Sequence, residues 1–212
     1  NNRQRERVDD YSAQQLIRSK APIVKRPQFM QQEKTITAAE IGTAMHTVMQ
    51  HLPLSQSLSE SDIAEFVETL VERELLTKDE AQVIDVKAIK AFLDTDLGRI
   101  LCHAKDVHRE VPFNLSLPAS HVYPSWSQDS DEKVLVQGVI DCLVQVEDGY
   151  VLIDYKTDAI YEDVTDDVVK RLKEKYKIQV NLYKQAVETI WQQPNKEAYR
   201  YFIAKELLVR VV

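Results

Sequence analysis

The chain has 212 residues, 44% of them hydrophobic, and a formal net charge of −7. This length and composition can bury a sizeable core, and neither a stretch of about 18 apolar residues nor a signal-peptide pattern occurs, which favours a cytoplasmic protein over a membrane protein. The four glycines form neither a P-loop nor a dinucleotide-binding turn, so no nucleotide site is expected. Two cysteines are too few for a four-cysteine iron–sulfur or zinc site.

The first 34 residues differ in composition from the rest. Segment 1–34 is rich in Gln and Arg and shows little apolar periodicity, so we interpret it as a linker from a preceding domain, partly disordered. It contains eight Lys/Arg and four Asp/Glu, which leaves 19 basic and 30 acidic residues in 35–212. A formal charge of about −11 disfavours a module that captures DNA by phosphate attraction alone, so a partner is expected to deliver any nucleic acid.

Apolar residues recur with a helical period from residue 38 to 52, and Gly42 and His46 lie four apart on one flank of that helix. Further helices are predicted at about 61–76 and 78–94, which form an N-terminal helical part. A single histidine on a helix is more often structural than functional, so His46 alone decides nothing.

The next apolar alternation, at 107–117, predicts a strand that carries Glu110 on its polar side. Pro112 in this run favours an edge position or an irregularity in the strand, because proline cannot donate to a central ladder. Glu110 is then solvent-facing by default. It becomes a site residue if its strand lies beside Asp154.

The most informative segment has two β-branched apolar runs around Asp148 and Gly149, which is a strong signal for a β-hairpin. With these two as the loop residues, Asp141 pairs with Lys156. Because side chains alternate along a strand, Asp141, Asp154 and Lys156 then share one face. A three-residue loop would instead move Asp141 to the opposite face.

The strand face that carries these two carboxylates and the ammonium is otherwise apolar and expected to be buried. The three charged groups therefore need partners, because an unpaired buried charge costs several kcal/mol. One interpretation is a structural ion pair between Asp141 and Lys156. The other is a divalent cation held by Asp141 and Asp154, with Lys156 facing a water or a phosphate. Carboxylate oxygens suit Mg²⁺ or Mn²⁺. The hairpin alone leaves both interpretations open.

A basic cluster of five Lys/Arg residues at 170–177 leads into a helix on which Gln179 and Tyr183 share a face. Such a cluster is usually a solvated surface, and Tyr183 can be a core residue. The alternative is that the basic cluster and the Gln179/Tyr183 face contact phosphates and position a nucleic-acid strand at the metal. Residues 198–204 and 207–212 are predicted as two final strands.

Five motifs thus follow one another along the chain: Gly42-x-x-x-His46, Glu110, Gly138-Val-Ile-Asp141, Asp154-Tyr-Lys156-Thr-Asp158 and Gln179-x-x-x-Tyr183. This series resembles the RecB-like branch of the PD-(D/E)XK nucleases, and within it the C-terminal nuclease domain of AddA helicase–nuclease subunits of the AddAB/RexAB type. The resemblance covers residues 35–212. It implies an α/β fold with a restriction-endonuclease-like core, in which a central mixed β-sheet is flanked by helices.

The resemblance also implies roles for individual residues. It implies metal ligation by His46, Asp141, Asp154 and the backbone carbonyl of Tyr155. Lys156 is expected to orient or deprotonate the attacking water. Glu110 is expected to assist through the metal shell, and Gln179 and Tyr183 to support the site. The expected cofactor is Mg²⁺, with Mn²⁺ as a substitute, because imidazole beside carboxylates is compatible with both.

By the same resemblance, the expected function is Mg²⁺-dependent hydrolysis of DNA phosphodiester bonds by part of an ATP-dependent bacterial helicase–nuclease. The DNA would be mainly single-stranded and delivered by helicase domains of the same polypeptide, with an AddB-like partner subunit, during double-strand break repair and recombination. The alternative is a catalytically silent nucleic-acid-binding or interaction domain of the same fold. Retention of Asp141, Asp154 and Lys156 together favours the active enzyme.

Overall fold

The computed structural model describes residues 36–54, 57–122, 132–157 and 162–211. The prediction of a linker at 1–34 falls outside these ranges. The helices of the described ranges are α1 (Ala38–His51), α2 (Glu60–Glu72), α3 (Lys78–Gln82), α4 (Val86–Asp94), α5 (Asp96–His103), α6 (Ala119–Val122) and α7 (Asp166–Trp191). The strands are β1 (Val107–Pro118), β2 (Lys133–Val146), β3 (Gly149–Lys156), β4 (Asn195–Phe202) and β5 (Leu207–Arg210), with a 3₁₀ turn at Ile203–Lys205.

The N-terminal helices begin where side chains satisfy the first free backbone N–H groups. Thr37, Ser59 and Thr77 each form a reciprocal capping box with the acidic residue three positions later. The helix predicted over 78–94 is in fact two helices. Asp85 accepts from the Ala88 amide and caps a new helix, α4, so a second N-terminal signal interrupts the first helix.

The five strands form a mixed sheet in the order β1-β2-β3-β4-β5. β2 and β3 are antiparallel, β3 and β4 are parallel, and β4 and β5 are antiparallel. The long helix α7 connects the two parallel strands, as a parallel connection requires. β1 lies at one edge of the sheet, which agrees with the expectation from Pro112. The predicted α/β architecture is confirmed.

The hairpin forms where it was predicted, but its register differs by two residues. Val146 pairs with Gly149 and Cys142 with Ile153, so the loop residues are Glu147 and Asp148. Gly149 already belongs to β3, with φ of +145°, and a Cβ there would lie 2.2 Å from the Pro194 carbonyl oxygen. The predicted pairing of Asp141 with Lys156 is therefore wrong. The ladder instead leads toward a pairing of Asp141 with Asp154.

The chain divides into two compact units. The described part of the first comprises 112–122 and 132–139, which are the second half of β1, α6 and the first half of β2. Within it, the Gln137 side-chain amide donates to Asn114 Oδ1 at 2.6 Å. The second unit comprises the rest of the described chain and contains every candidate site residue.

Within the second unit, helices cover both faces of the sheet. Side chains of α1, α2, α4 and α5 form one apolar cluster with sheet residues such as Ile153 and Tyr155. Val168 and Leu172 of α7 pack on the opposite face, against Phe202. Since neighbouring residues on a strand face opposite ways, Asp154 lies on the α7 side of β3. Among the described residues, no helix is long and apolar enough to cross a membrane.

Candidate metal centre

Helix α1 lies close to the end of β3 because Gly42 has no side chain. A Cβ on Gly42 would lie 3.0 Å from Oγ1 of Thr157, the residue that follows β3. Buried Ala44 and Met45 anchor the same helix in the core. One turn after Gly42, His46 reaches the site, which gives the Gly-x-x-x-His spacing a physical reason.

Three ligand side chains converge beside α1. His46 Nδ1 lies 3.4 Å from Glu110 Oε1 and 3.3 Å from Asp141 Oδ1. One ligand atom from each residue lies within 4.8 Å of the others, which is close enough for one ion. A bare imidazole lone pair between two carboxylates would be repelled, so the arrangement requires either a proton on Nδ1 or a shared cation. One imidazole and two carboxylates suit Mn²⁺ and remain compatible with Mg²⁺.

Asp141 is buried yet held in its charged form. Its Oδ2 accepts a hydrogen bond from the Tyr155 backbone N–H at 2.9 Å. Burial by itself raises the pKa of Asp141, but the hydrogen bond and charge of His46, the charge of Lys156 and the Tyr155 N–H together leave that pKa below its usual value. The carboxylate is therefore ionised at neutral pH, as a metal ligand must be.

Asp154 lies between two cations on the α7 side of the sheet and is 1% exposed. Lys156 Nζ donates to Asp154 Oδ1 at 3.2 Å. Arg200 Nε lies 2.7 Å from Asp154 Oδ2, an ion pair without the alignment of a hydrogen bond. Asp154 is not one of the three residues of the cluster, although the ladder of β2 and β3 leads to its pairing with the cluster residue Asp141. Its assignment as a metal ligand, like that of the Tyr155 carbonyl, stays a prediction.

Gln179 and Tyr183 of α7 support this arrangement from the other side. The Gln179 side-chain amide donates to the Tyr183 hydroxyl at 2.9 Å and accepts from Arg200 Nη2 at 2.6 Å. Burial, with the charges of Asp154 and Asp141, raises the pKa of Tyr183 far above its usual value. Tyr183 therefore stays a neutral hydroxyl beside the carboxylates.

Glu110 reaches the site by a different route from the one expected. Its strand, β1, does not lie beside β3, since β2 runs between them. Glu110 instead has φ of +51°, inside a strand. Such a conformation is costly for a non-glycine residue, and strained residues of this kind cluster at active sites and ligand-binding sites. Here it accompanies a carboxylate that faces His46.

The conformation of Glu110 predicts a reversed order of stability between glycine and alanine. Glu110→Gly should be more stable than Glu110→Ala by about 1–2 kcal/mol, because glycine adopts positive φ without the Cβ penalty. At Ser116, on the same strand, the usual order should hold and alanine should be the better residue. Urea denaturation of the four variants measures both differences. A more stable alanine variant at position 110 would show that the backbone there is unstrained.

Arg200 is the buried site residue that the sequence analysis did not identify. It lies in β4, directly opposite Asp154, and is 0% exposed. The available signal was a charged residue within a strand of aromatic and aliphatic residues, the same kind of signal that singled out Asp154. Without knowledge of the partner strand, that signal was not enough to distinguish Arg200 from a surface arginine.

Comparison with known proteins decides the family. The family model described as the PD-(D/E)XK nuclease superfamily matches residues 13–211. The chain belongs to the PD-(D/E)XK nuclease superfamily. The resemblance stated from the five motifs is thereby confirmed, and the observed mixed sheet flanked by helices is consistent with the PD-(D/E)XK fold.

This PD-(D/E)XK domain is similar in sequence to two bacterial proteins, each described as the A subunit of an ATP-dependent helicase/nuclease. The protein of Oceanobacillus iheyensis is 47% identical over 210 residues, covering 99% of this chain and 17% of the relative. That of Bacillus licheniformis is 46% identical over 205 residues, covering 94% and 16%. The chain therefore spans about a sixth of the length of these relatives.

A structural match was also found, with the structure described as "Crystal structure of SSO0001". It covers 98% of this chain and 76% of the other, at 9% identity and a TM-score of 0.35. This value is too low to support any inference.

Proposed function

We propose that this chain is a divalent-metal-dependent DNA nuclease domain that hydrolyses phosphodiester bonds of single strands. The observation that carries the proposal is the convergence of His46, Glu110 and Asp141 on one point beside Asp154 and Lys156. The superfamily to which the chain belongs supports it. Mg²⁺ is the proposed ion, with Mn²⁺ as a substitute.

His46, Glu110 and Asp141 would hold the ion, and Asp154 would complete the set. A bound divalent cation would supply Lewis acidity toward a phosphate oxygen and lower the pKa of a coordinated water. The chain's own residues do the rest. Lys156, 24% exposed, would direct its ammonium at an attacking water while Asp154 Oδ1 holds it at 3.2 Å. The neutral Tyr183 hydroxyl and Gln179 would keep the α7 side of the site in place.

The wider setting is proposed from the relatives, since the chain covers a small part of them. Helicase domains of the same polypeptide would feed single-stranded DNA to this domain in the bacterial cytoplasm. An AddB-like protein would be the partner, and double-strand break repair and recombination the process. The formal net charge of −7 fits such delivery, because it opposes unassisted capture of DNA. In this setting, residues 1–34 would be the linker and 35–212 the nuclease domain.

Metal removal tests the proposal. The full-length protein should cleave end-labelled single-stranded DNA in Mg²⁺ or Mn²⁺. Cleavage should stop in EDTA and resume when excess Mg²⁺ is added, because the carboxylate cluster cannot activate water without a cation. Cleavage that persists in EDTA would contradict metal dependence. DNA binding without cleavage in either metal would favour a catalytically silent domain.

A further inference from the structure

Arg200 has no assigned role in the proposed reaction, yet it is the largest fully buried side chain of the described residues. Burying a guanidinium is costly unless several partners compensate its charge. Its position follows from the parallel pairing of β3 and β4, which places Arg200 directly beside Asp154 on the same face.

Three different groups contact the guanidinium. Nε lies 2.7 Å from Asp154 Oδ2, and Nη2 donates to Gln179 Oε1 at 2.6 Å. The guanidinium carbon lies 3.7 Å from the centre of the Tyr176 ring. Two of these groups belong to α7 and one to β3, so Arg200 connects the helix to the carboxylate. A planar group that pairs with a carboxylate, donates to an amide oxygen and stacks on a ring fixes orientation better than a lysine can.

The two carboxylate oxygens of Asp154 consequently have different partners. Oδ2 faces Arg200, whereas Oδ1 faces Lys156. We propose that Arg200 is a positioning residue that occupies one oxygen of Asp154, so that only the other is available to the metal and the attacking water. This role rests on the proposed function, and Arg200 would act through Asp154 instead of touching the substrate.

This role predicts opposite effects on metal affinity and turnover. The positive charge of Arg200 opposes a dication nearby, so its removal should tighten metal binding. Its removal also leaves the Asp154 carboxylate free to rotate and its Oδ2 free to bind the metal. Either change would disturb the geometry needed for turnover. A residue needed only for folding would instead lower the binding capacity and the turnover together.

The test uses the full-length protein with Mn²⁺ alone as the probe. Mn²⁺ Kd is measured by titration calorimetry, and kcat on labelled single-stranded DNA. Arg200→Met should lower Kd on the order of tenfold and lower kcat at least about tenfold. Arg200→Lys keeps the charge without the two-partner geometry, so its Kd should stay near wild type while kcat falls. The control is Arg210→Met, which removes an exposed arginine paired with Glu197 at 2.9 Å. It should change neither quantity.

The outcomes distinguish the proposed function from the positioning role. If the wild type binds no Mn²⁺ and cleaves no DNA, the proposed function fails, and this inference fails with it. If the wild type binds and cleaves but both Arg200 variants match it, the positioning role alone is overturned. If Arg200→Met does not fold, Arg200→Lys decides: wild-type kcat in that variant overturns the role.

Discussion

Lys156→Met should lower turnover on single-stranded DNA about 10²- to 10⁴-fold, the usual contribution of a group that assists proton transfer. The fold should survive, because Lys156 is 24% exposed and Asp154 keeps its contact with Arg200 in the variant. Mn²⁺ binding should persist, since the substitution removes no ligand. Single-turnover cleavage, titration calorimetry and urea denaturation measure the three quantities.

A matched control exists for this variant. Lys90 is 26% exposed and forms an ion pair with Asp94 on α4, outside the metal cluster. Lys90→Met should therefore leave cleavage unchanged and shift the free energy of unfolding by no more than about 1 kcal/mol. Wild-type turnover in Lys156→Met would remove Lys156 from the reaction.

Asp154→Ala should lower the free energy of unfolding by about 3–5 kcal/mol, measured in EDTA. The reason is that Arg200, itself 1% exposed in its side chain, would be left without its counter-charge. Loss of cleavage in this variant alone would thus mix lost chemistry with lost stability, which makes Lys156→Met the cleaner test of catalysis.

A double variant isolates the ion pair. Asp154→Ala combined with Arg200→Met removes both charges and should recover most of the lost stability, because no unpaired buried charge remains. Asp148→Ala serves as control, since its pairing with Lys196 at 3.9 Å is exposed and should contribute little. A double variant no more stable than Asp154→Ala would show that the buried pair is not what holds this region together.

The hairpin shows what the sequence could predict about the site. Side-chain alternation placed Asp141 and Asp154 on one face, and a register error of two residues left that result intact. The predicted cross-strand partner of Asp141 was nevertheless wrong, because Gly149 is not a loop residue. It lies in β3, where its backbone is close to Pro194, a residue far along the chain. Local turn propensity contains no information about that contact.

Arg200 and Glu110 show what the sequence could not predict. Arg200 meets Asp154 through the parallel pairing of β3 with β4, two strands that the long helix α7 separates in sequence, so no local pattern relates the two residues. Glu110 reaches His46 through a positive φ that no residue preference at that position suggests. Periodicity in the sequence predicted the helices and strands and the strand face that carries Asp141 and Asp154. It could not predict the contacts between distant elements, which depend on tertiary packing.

The most direct measurement of metal binding at the proposed centre is the anomalous diffraction of a crystal grown with Mn²⁺. We expect a peak bonded to the side chains of His46, Glu110 and Asp141, with Asp154 adjacent to it. An Mn²⁺-saturated crystal without a peak there, in which His46 still bridges the two carboxylates through a proton, would contradict the proposed metal centre.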